Sequence, residues 1–441
     1  MKEEKKSSIL YSDKWSPAII FALRIFVGGL FIFSGFVKAI DPWGSLYKFQ
    51  DYVLALGLPG LEPFLLFSAF AVAALEFMFG VFILIGAYRR GAPIVLLLMM
   101  AVMTPLTLWL AITNAVPDCG CFGDAIVISN WATFIKNLFL TLGILYLVFF
   151  NKRVKNIYGV NVQWIVGLFS FVFILWVASL GYFYQPLIDF RPYKVGNTIV
   201  SKPSEDTDGS NFVFTYEKNG VQKEFTIDRL PDETWNFVER HEVKKTMPKV
   251  DGQNLLILSS PDGSDLPDDA IKKDGGQLLL IFSDMKDIDV SYSYLMNELY
   301  DFAQSHGVDM IGLTPGDEQD IAEWNDLSMA SYKIYNADDS DLKMIARGNP
   351  ALVYLKDGKI MWKRTLQSVS AERLEADQGD FASVSSDFSD SRKLSLLVTS
   401  YLFVMVVLLI LNRSYNVFNF SRHMIKKNQN KDVPLQSEKE E

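Results

Sequence analysis

Six blocks of apolar residues set the pattern of this chain, with short polar breaks between the first four and one long polar stretch further on. They run from Pro17 to Val37, Phe64 to Ala87, Pro93 to Thr113, Trp131 to Phe150, Trp164 to Tyr184 and Leu394 to Leu411. A helix crosses the hydrocarbon core with roughly 20 mostly apolar residues, and these blocks meet or approach that length. The polar remainder lies mainly between residues 190 and 392. The pattern predicts an integral membrane protein, all-α in its membrane part. A four-helix transmembrane bundle leads, and two further transmembrane helices flank an extracytoplasmic α/β domain.

Between the first two blocks, Ile40-Asp41-Pro42-Trp43-Gly44 breaks the helix. Leu46, Phe49, Val53 and Leu56 then share one face, which predicts an interfacial helix over Ser45 to Leu56. The third and fourth blocks are joined by Pro117-Asp118-Cys119-Gly120-Cys121-Phe122-Gly123-Asp124. In the polar stretch, Asn211 to Thr226 reads as a hairpin with its turn at Lys218-Asn219-Gly220. From Gln277 onward strands and helices alternate. Strands are expected at Gln277–Phe282, Val308–Leu313 and Tyr332–Tyr335, and helices at Tyr294–Ser305, Asp317–Asn325 and Ser340–Ala346. Ala351–Leu355 and Lys359–Arg364 form a second hairpin around Asp357-Gly358, so a mixed α/β sheet is expected. The implied organisation is a bundle over 1–155, a fifth span over 160–188, a β-rich segment over 189–265 and an α/β domain over 266–367. A Ser- and Asp-rich linker over 368–392, a sixth span over 393–412 and a tail over 413–441 complete the chain.

Charge orients the chain. Lys2, Lys5, Lys6 and Lys14 precede the first block, Arg89 and Arg90 follow the second, and Lys152, Arg153 and Lys155 follow the fourth. Arg413, Arg422, Lys426 and Lys427 follow the sixth, and all four sets share one side if both termini are cytoplasmic. Residues 189–392 then face the periplasm of a bacterium whose inner membrane holds the spans. The first block carries Arg24 and no small-residue cleavage pattern follows it, so it reads as a retained span. A net charge of −9 without a basic stripe argues against nucleic acid as a partner. His241, His306 and His423 are scattered and suggest no metal cluster.

The chain has two cysteines, Cys119 and Cys121, on the predicted outer side. Gly120 opens the backbone angles that a two-residue spacing would need for a disulfide, and a strained, exposed disulfide is the labile, oxidising kind. The pair therefore reads as a redox centre, as a local disulfide that stiffens the loop, or as two free thiols. Two sulfurs with flanking carboxylates do not complete a zinc set. Arg24 and Glu76 fall inside spans, where unpaired charge is costly, and an Arg24–Glu76 pair is expected. That pair would either fix the packing or line a quinone pocket. Lys38 and Asp41 stand where the first span meets the outer interface, Lys38 snorkelling and Asp41 capping the break. Lys136 is expected to snorkel too, and Pro105 to kink its span.

Arg24 with Gly28, Ser34-Gly35-Phe36-Val37-Lys38, Asp41-Pro42, Glu76 with Gly80, and Asp118-Cys119-Gly120-Cys121-Phe122-Gly123-Asp124 together resemble the DoxX/MauE group of redox-associated membrane proteins. The Cys-Gly-Cys loop is nearest the MauE side. MauE-like proteins are associated with disulfide formation in an exported dehydrogenase subunit, and DoxX-like ones occur in quinone-linked sulfur oxidation. Arg347-Gly348-Asn349-Pro350-Ala351, followed by a strand and Asp357-Gly358, resembles the end of a thioredoxin fold, which implies a cis Pro350. Where that fold carries its Cys-x-x-Cys, this chain has Ser283-Asp284-Met285-Lys286-Asp287.

These resemblances imply a membrane thiol–disulfide protein in which Cys119 and Cys121 are catalytic. Arg24 and Glu76 would bind a quinone, and Lys38, Asp41, Asp118, Asp124 and Pro350 would position the site. Its partners would be membrane lipid and an exported client. The alternative is a non-catalytic membrane scaffold whose thioredoxin-like domain binds a partner protein.

Overall fold

The computed structural model describes residues 16–116, 118–203, 212–218, 221–226, 235–242, 249–250, 253–261, 270–369, 381 and 390–429. In chain order the first helices are α1 (Ser16–Ile40), α2 (Pro42–Leu56), α3 (Leu65–Ile85), α4 (Gly91–Thr113), α5 (Asn130–Phe149) and α6 (Gln163–Phe183). Strands β1 (Ile199–Pro203), β2 (Phe212–Lys218), β3 (Val221–Thr226), β4 (Asn236–Glu242), β5 (Lys249–Val250), β6 (Gln253–Ser259) and β7 (Gly276–Ile281) follow. The remainder is α7 (Tyr292–Ser305), β8 (Asp309–Thr314), α8 (Glu318–Ser328), β9 (Lys333–Ala337), α9 (Asp339–Ile345), β10 (Ala351–Lys356), β11 (Lys359–Thr365) and α10 (Asp390–Gln429). The chain divides into two compact units, the first built from α1–α6 and α10 and the second from β1–β11 and α7–α9.

Six helical stretches among the described residues are long and apolar enough to cross a membrane. They lie in α1, α4, α5, α6, α10, and in α3 with the short 3-10 turn before it. The pair α1 and α3 is held together by absent side chains. A Cβ on Gly35 would collide with the Phe77 nitrogen, and one on Gly28 would lie 2.9 Å from the Gly80 oxygen. Small residues allow backbones to approach this closely where lipid gives no hydrophobic drive to associate. The same contacts fix an antiparallel register, with the start of α1 level with the end of α3. Helices α4 and α5 are joined by polar contacts, Thr104 with Thr141 at 3.1 Å and Asn137 Nδ2 donating to Thr107 Oγ1 at 3.2 Å.

Helix α10 seats on α6 through Tyr401, whose ring stacks on Phe173 at 4.4 Å and whose hydroxyl lies 2.8 Å from Ser170 Oγ. Tyr158 OH donates to the Met405 carbonyl at 2.7 Å. The fifth and sixth spans thus share the core of the first four. Helix α10 is longer than the sequence pattern marked, because Arg413 to Gln429 contains no glycine or proline to end it.

In the second unit the main sheet runs β1-β6-β9-β8-β7-β10-β11, with β5 on β6. Strands β7, β8 and β9 are parallel, β10 is antiparallel to β7, and β11 is antiparallel to β10. Leu278 and Leu280 of β7 enter one core with Met296 and Trp324, while Leu279 and Ile281 enter another with Leu342 and Ile345. Both faces are therefore covered, as the unbroken apolar run of β7 requires. Asp357 and Gly358 turn with φ of 52° and 71°, the doubly positive geometry of a tight hairpin.

Strands β2 and β3 pair antiparallel as the expected hairpin requires, Lys218 opposite Val221, in a separate sheet ordered β3-β2-β4. The turn positions 219 and 220 lie outside the described residues. Strands β1 and β6 join the main sheet, so residue 265 does not separate a β-rich segment from the α/β part. Most of the stretch read as a tether, 370–380 and 382–389, lies outside the described residues, as does the tail beyond 429. Phe381, within that stretch, is buried against Tyr354 and accepts a 2.6 Å hydrogen bond from Trp362 Nε1. A buried charge cluster braces β11. Asp189 accepts from Arg191 at 2.7 Å and 3.0 Å and from Lys363 at 2.8 Å.

Candidate functional site

The loop between α4 and α5 is fixed at both ends. Asn114 ends α4 in a left-handed conformation, and its N–H bonds to the Leu110 carbonyl at 2.9 Å. Asn130, at the start of α5, donates to the Val116 carbonyl at 2.9 Å. Between these anchors Cys119 packs with Leu110, Val116, Trp109 and Tyr52, and is 8% exposed. Cys121 is only partly covered. Gly120 turns the chain with φ of +63°, and a Cβ there would meet Lys48 Cγ at 2.9 Å. Only glycine suits both the angle and the space. The two sulfurs are free thiols with Sγ atoms 2.9 Å apart.

The backbone carbonyls of both cysteines are held. Tyr52 OH donates to the Cys119 carbonyl. The Cys121 carbonyl accepts from Ser34 Oγ at 2.7 Å and from Lys38 Nζ at 2.9 Å. Lys38 also donates to Ser34 Oγ at 2.8 Å and to Glu76 Oε2 at 2.7 Å, which uses its three protons. Asp118 accepts from the Gly120 N–H at 3.0 Å and from Lys48 at 2.9 Å. Lys136 Nζ sits 4.2 Å from the centroid of the Phe122 ring. A cavity of about 60 Å³ lies against this assembly, and Ser34, Lys38, Tyr52, Glu76, Cys119 and Cys121 line it. That is room for a few water molecules.

The two thiols differ electrostatically. Cys121 is pulled down to about 6 by the hydrogen bond from Cys119, against burial, with Lys136 and Lys38 adding attraction. Cys119 is pushed up because it donates that hydrogen bond and is buried. Burial, and then the neighbouring Cys119, push Tyr52 up, so it remains a donor.

Several expectations are corrected. Arg24 and Glu76 do not pair. Arg24 donates to the carbonyls of Ile83 at 3.1 Å, Leu84 at 2.8 Å and Lys155 at 3.0 Å, which satisfies the open end of α3. The antiparallel register causes this, because it sets Arg24 level with Leu84 and Glu76 level with the later turns of α1. Arg24 therefore lies away from the cavity at the thiols. Lys38 does not snorkel; it is 7% exposed and belongs to Glu76. Lys136 turns inward over Phe122 and lines the cavity. Asp41 caps α2, accepting from the Gly44 N–H at 2.9 Å, and Asp124 is exposed. Among the described residues, no three His, Cys, Asp or Glu side chains are placed to hold a metal.

Sequence reading missed Lys48 and Tyr52. A signal existed, since Ser45, Lys48 and Tyr52 fall at helical spacing on one face of α2 and all three line the cavity.

In the second unit the Asn349–Pro350 peptide is cis. Asn349 Oδ1 accepts from the N–H groups of Ser283 and Asp284 at 3.1 Å and 3.3 Å, and its Nδ2 donates to the Asp284 carbonyl at 2.6 Å. Ser283 Oγ donates to the Gly348 carbonyl at 3.3 Å.

Residues 16–150 match the family model described as methylamine utilisation protein MauE. The N-terminal bundle is MauE-like. The match takes in α1–α5 and the cysteine loop, whereas α6, α10 and the α/β unit lie beyond it. Residues 211–245 match a model described as Domain of unknown function (DUF8463). No curated protein and no solved structure matches the chain.

Proposed function

We propose that the MauE-like bundle is a thiol–disulfide redox unit of a bacterial inner membrane, with Cys119 and Cys121 as its reacting groups. The observation that carries this reading is the pair of free sulfurs 2.9 Å apart, in a loop whose flanking carbonyls are held by Tyr52, Ser34 and Lys38. A loop fixed in this way can pass between dithiol and disulfide without losing its shape. Two thiols of an exported client would become a disulfide, giving two electrons to the oxidised pair, which becomes a dithiol. A quinone-class acceptor would then take two electrons and two protons from the dithiol and leave as the hydroquinone. With both termini cytoplasmic, the loop and the α/β unit face the periplasm.

The α/β unit has a client-binding part in this reading. Its β7-α7-β8 crossover and the antiparallel β10–β11 pair support a thioredoxin-like fold. Ser283 and Asp284 stand at its strand-to-helix loop, and neither can exchange disulfides. That absence of sulfur favours the second reading, a non-catalytic scaffold in which this unit only holds a partner.

The deciding experiment measures the reduction potential of the pair in purified protein in lipid, by alkylation and mass spectrometry across glutathione buffers. A potential near or above about −200 mV, with reoxidation driven by added quinone, supports electron transfer. A pair that stays oxidised below about −300 mV and ignores quinone supports the scaffold. Reporter fusions within the α/β unit and after α10 test the orientation.

A further inference from the structure

The two cysteines stand in different surroundings although one residue separates them. Cys119 is enclosed by Leu110, Val116, Trp109 and Tyr52, and the cation that acts on it is Lys136. Cys121 is the less covered residue, and both cysteines line the same cavity. Two cations act on Cys121, Lys136 from α5 and Lys38 from α1, whose Nζ also holds the Cys121 carbonyl at 2.9 Å. Lys48 is engaged with Asp118, and Glu76, paired with Lys38, offsets part of the attraction at Cys121. Tyr52 is a donor, and Asp124 lies at the exposed end of the loop. A thiolate is favoured by nearby cations and disfavoured by an apolar wall. Exchange runs through the sulfur that a partner can reach and that carries the negative charge.

We infer that Cys121 is the sulfur that bonds to the reaction partner, that Cys119 is the resolving thiol, and that Lys38 and Lys136 are the positioning cations that set this order. The inference rests on the redox reading above and deepens it. In the oxidising direction a client thiolate attacks Cys121 Sγ of the disulfide. The Cys119–Cys121 bond breaks, and Cys119 leaves with the electron pair and takes up a proton. The client's second thiol gives up its proton and attacks the client sulfur of the mixed disulfide, expelling Cys121 as the thiolate. The client has lost two electrons and the pair has gained them. In reverse, the Cys121 thiolate attacks a partner disulfide and Cys119 closes the ring, so the mixed disulfide sits on Cys121 in both directions.

Lys38 acts through the loop as well as through its charge. It joins the Cys121 carbonyl to Glu76 on α3, so the position of Cys121 follows the α1–α3 register.

The test uses full-length protein in lipid nanodiscs with one cysteine at a time, Cys119→Ser or Cys121→Ser. Alkylation rates are followed against pH, and mixed disulfides are trapped with oxidised glutathione. Cys121 is expected to react with a midpoint below the ordinary thiol range and to trap glutathione, and Cys119 to do neither. In the Cys119→Ser background, Lys136→Met should raise the midpoint by about one pH unit, roughly tenfold in rate below it. Lys136→Met leaves the Lys38–Glu76 pair intact, so it reports charge rather than folding. Lys38→Met should act the same way, and Lys38→Arg should restore most of the effect. Trapping at Cys119, or a midpoint indifferent to both lysines, overturns the inference. These readouts do not need the pair to cycle. A wild-type pair that never exchanges with dithiol or quinone refutes the redox reading separately.

Discussion

Lys38 Nζ stands 2.7 Å from Glu76 Oε2, both side chains buried and 38 residues apart in the chain. The ammonium is fully hydrogen-bonded, which is the condition under which a buried ion pair is tolerated. Through Ser34 and the Cys121 carbonyl, the same pair ties α1 and α3 to the thiol loop.

Breaking that pair on one side should be worse than removing it altogether. Lys38→Met or Glu76→Gln is expected to destabilise the bundle by about 3–5 kcal/mol, because the remaining group stays buried without its partner. Lys38→Met with Glu76→Met together should recover much of the loss. Thermal unfolding of the three variants in one lipid and detergent system checks this; equal losses in all three would contradict it.

Gly35 should not tolerate a methyl group, whereas Gly29 should. A Cβ on Gly35 meets the backbone of Phe77 and Ala73, which cannot swing aside, and a Cβ on Gly29 meets nothing within 4 Å. Gly35→Ala is expected to lower the yield of folded protein and to cost about 1–3 kcal/mol, the usual overpacking range. Gly29→Ala should match wild type in size-exclusion profile and melting temperature.

The charge cluster on β11 makes two opposite demands on pH. Burial opposes charge at Asp189, yet Arg191 and Lys363 prevail and hold its carboxyl down at about 2. The unfolded chain then binds the extra proton first, so this stability is full above about 4 and is lost as pH falls through about 2. Burial, reinforced by Arg191, pulls Lys363 down to about 7, because one shared carboxylate does not offset its desolvation. Between about 7 and 10 the unfolded chain holds the extra proton, so this contribution improves as pH rises. Hydrogen-exchange protection factors of β11 should fall in acid for wild type and be lower throughout in Asp189→Asn. Lys363→Met should flatten the alkaline rise, and an unchanged profile would count against the cluster.

Asn349 closes the loop after β7 with three hydrogen bonds from one side chain. Asn349→Ala should free the N–H groups of Ser283 and Asp284, raising their exchange rates at least several-fold, with a stability loss of about 1–3 kcal/mol. Protection confined to its wild-type value at both amides would show that the backbone alone fixes the loop.

Much of this molecule was legible locally. Apolar blocks of membrane length gave the spans, since burying their backbone in lipid leaves a helix as the form that satisfies it. Alternating strands and helices from Gln277 onward gave the α/β unit, and Asp357-Gly358 marked its last hairpin. The paired thiols at Cys119 and Cys121 were visible because nothing else in the chain carries that chemistry.

The sequence by itself determined the apolar helices, the strands and helices from Gln277 onward, and where the sulfur lies, because those properties follow from the period and composition of short stretches. Tertiary structure alone decided which cation meets Glu76. The choice between Arg24 and Lys38 depends on the register of α1 against α3, and that register is set by how closely Gly28, Gly35 and Gly80 let the backbones approach. The same packing brings Tyr52 and Lys48 over a loop that begins more than sixty residues later, with 67 and 70 positions separating the bonded groups. In the second unit, β1 and β6 enter a sheet whose members β7–β11 follow them in the chain, and Phe381 returns to the core beside Trp362. Such pairings are chosen by shape and unsatisfied polar groups between distant segments, and no local pattern records them.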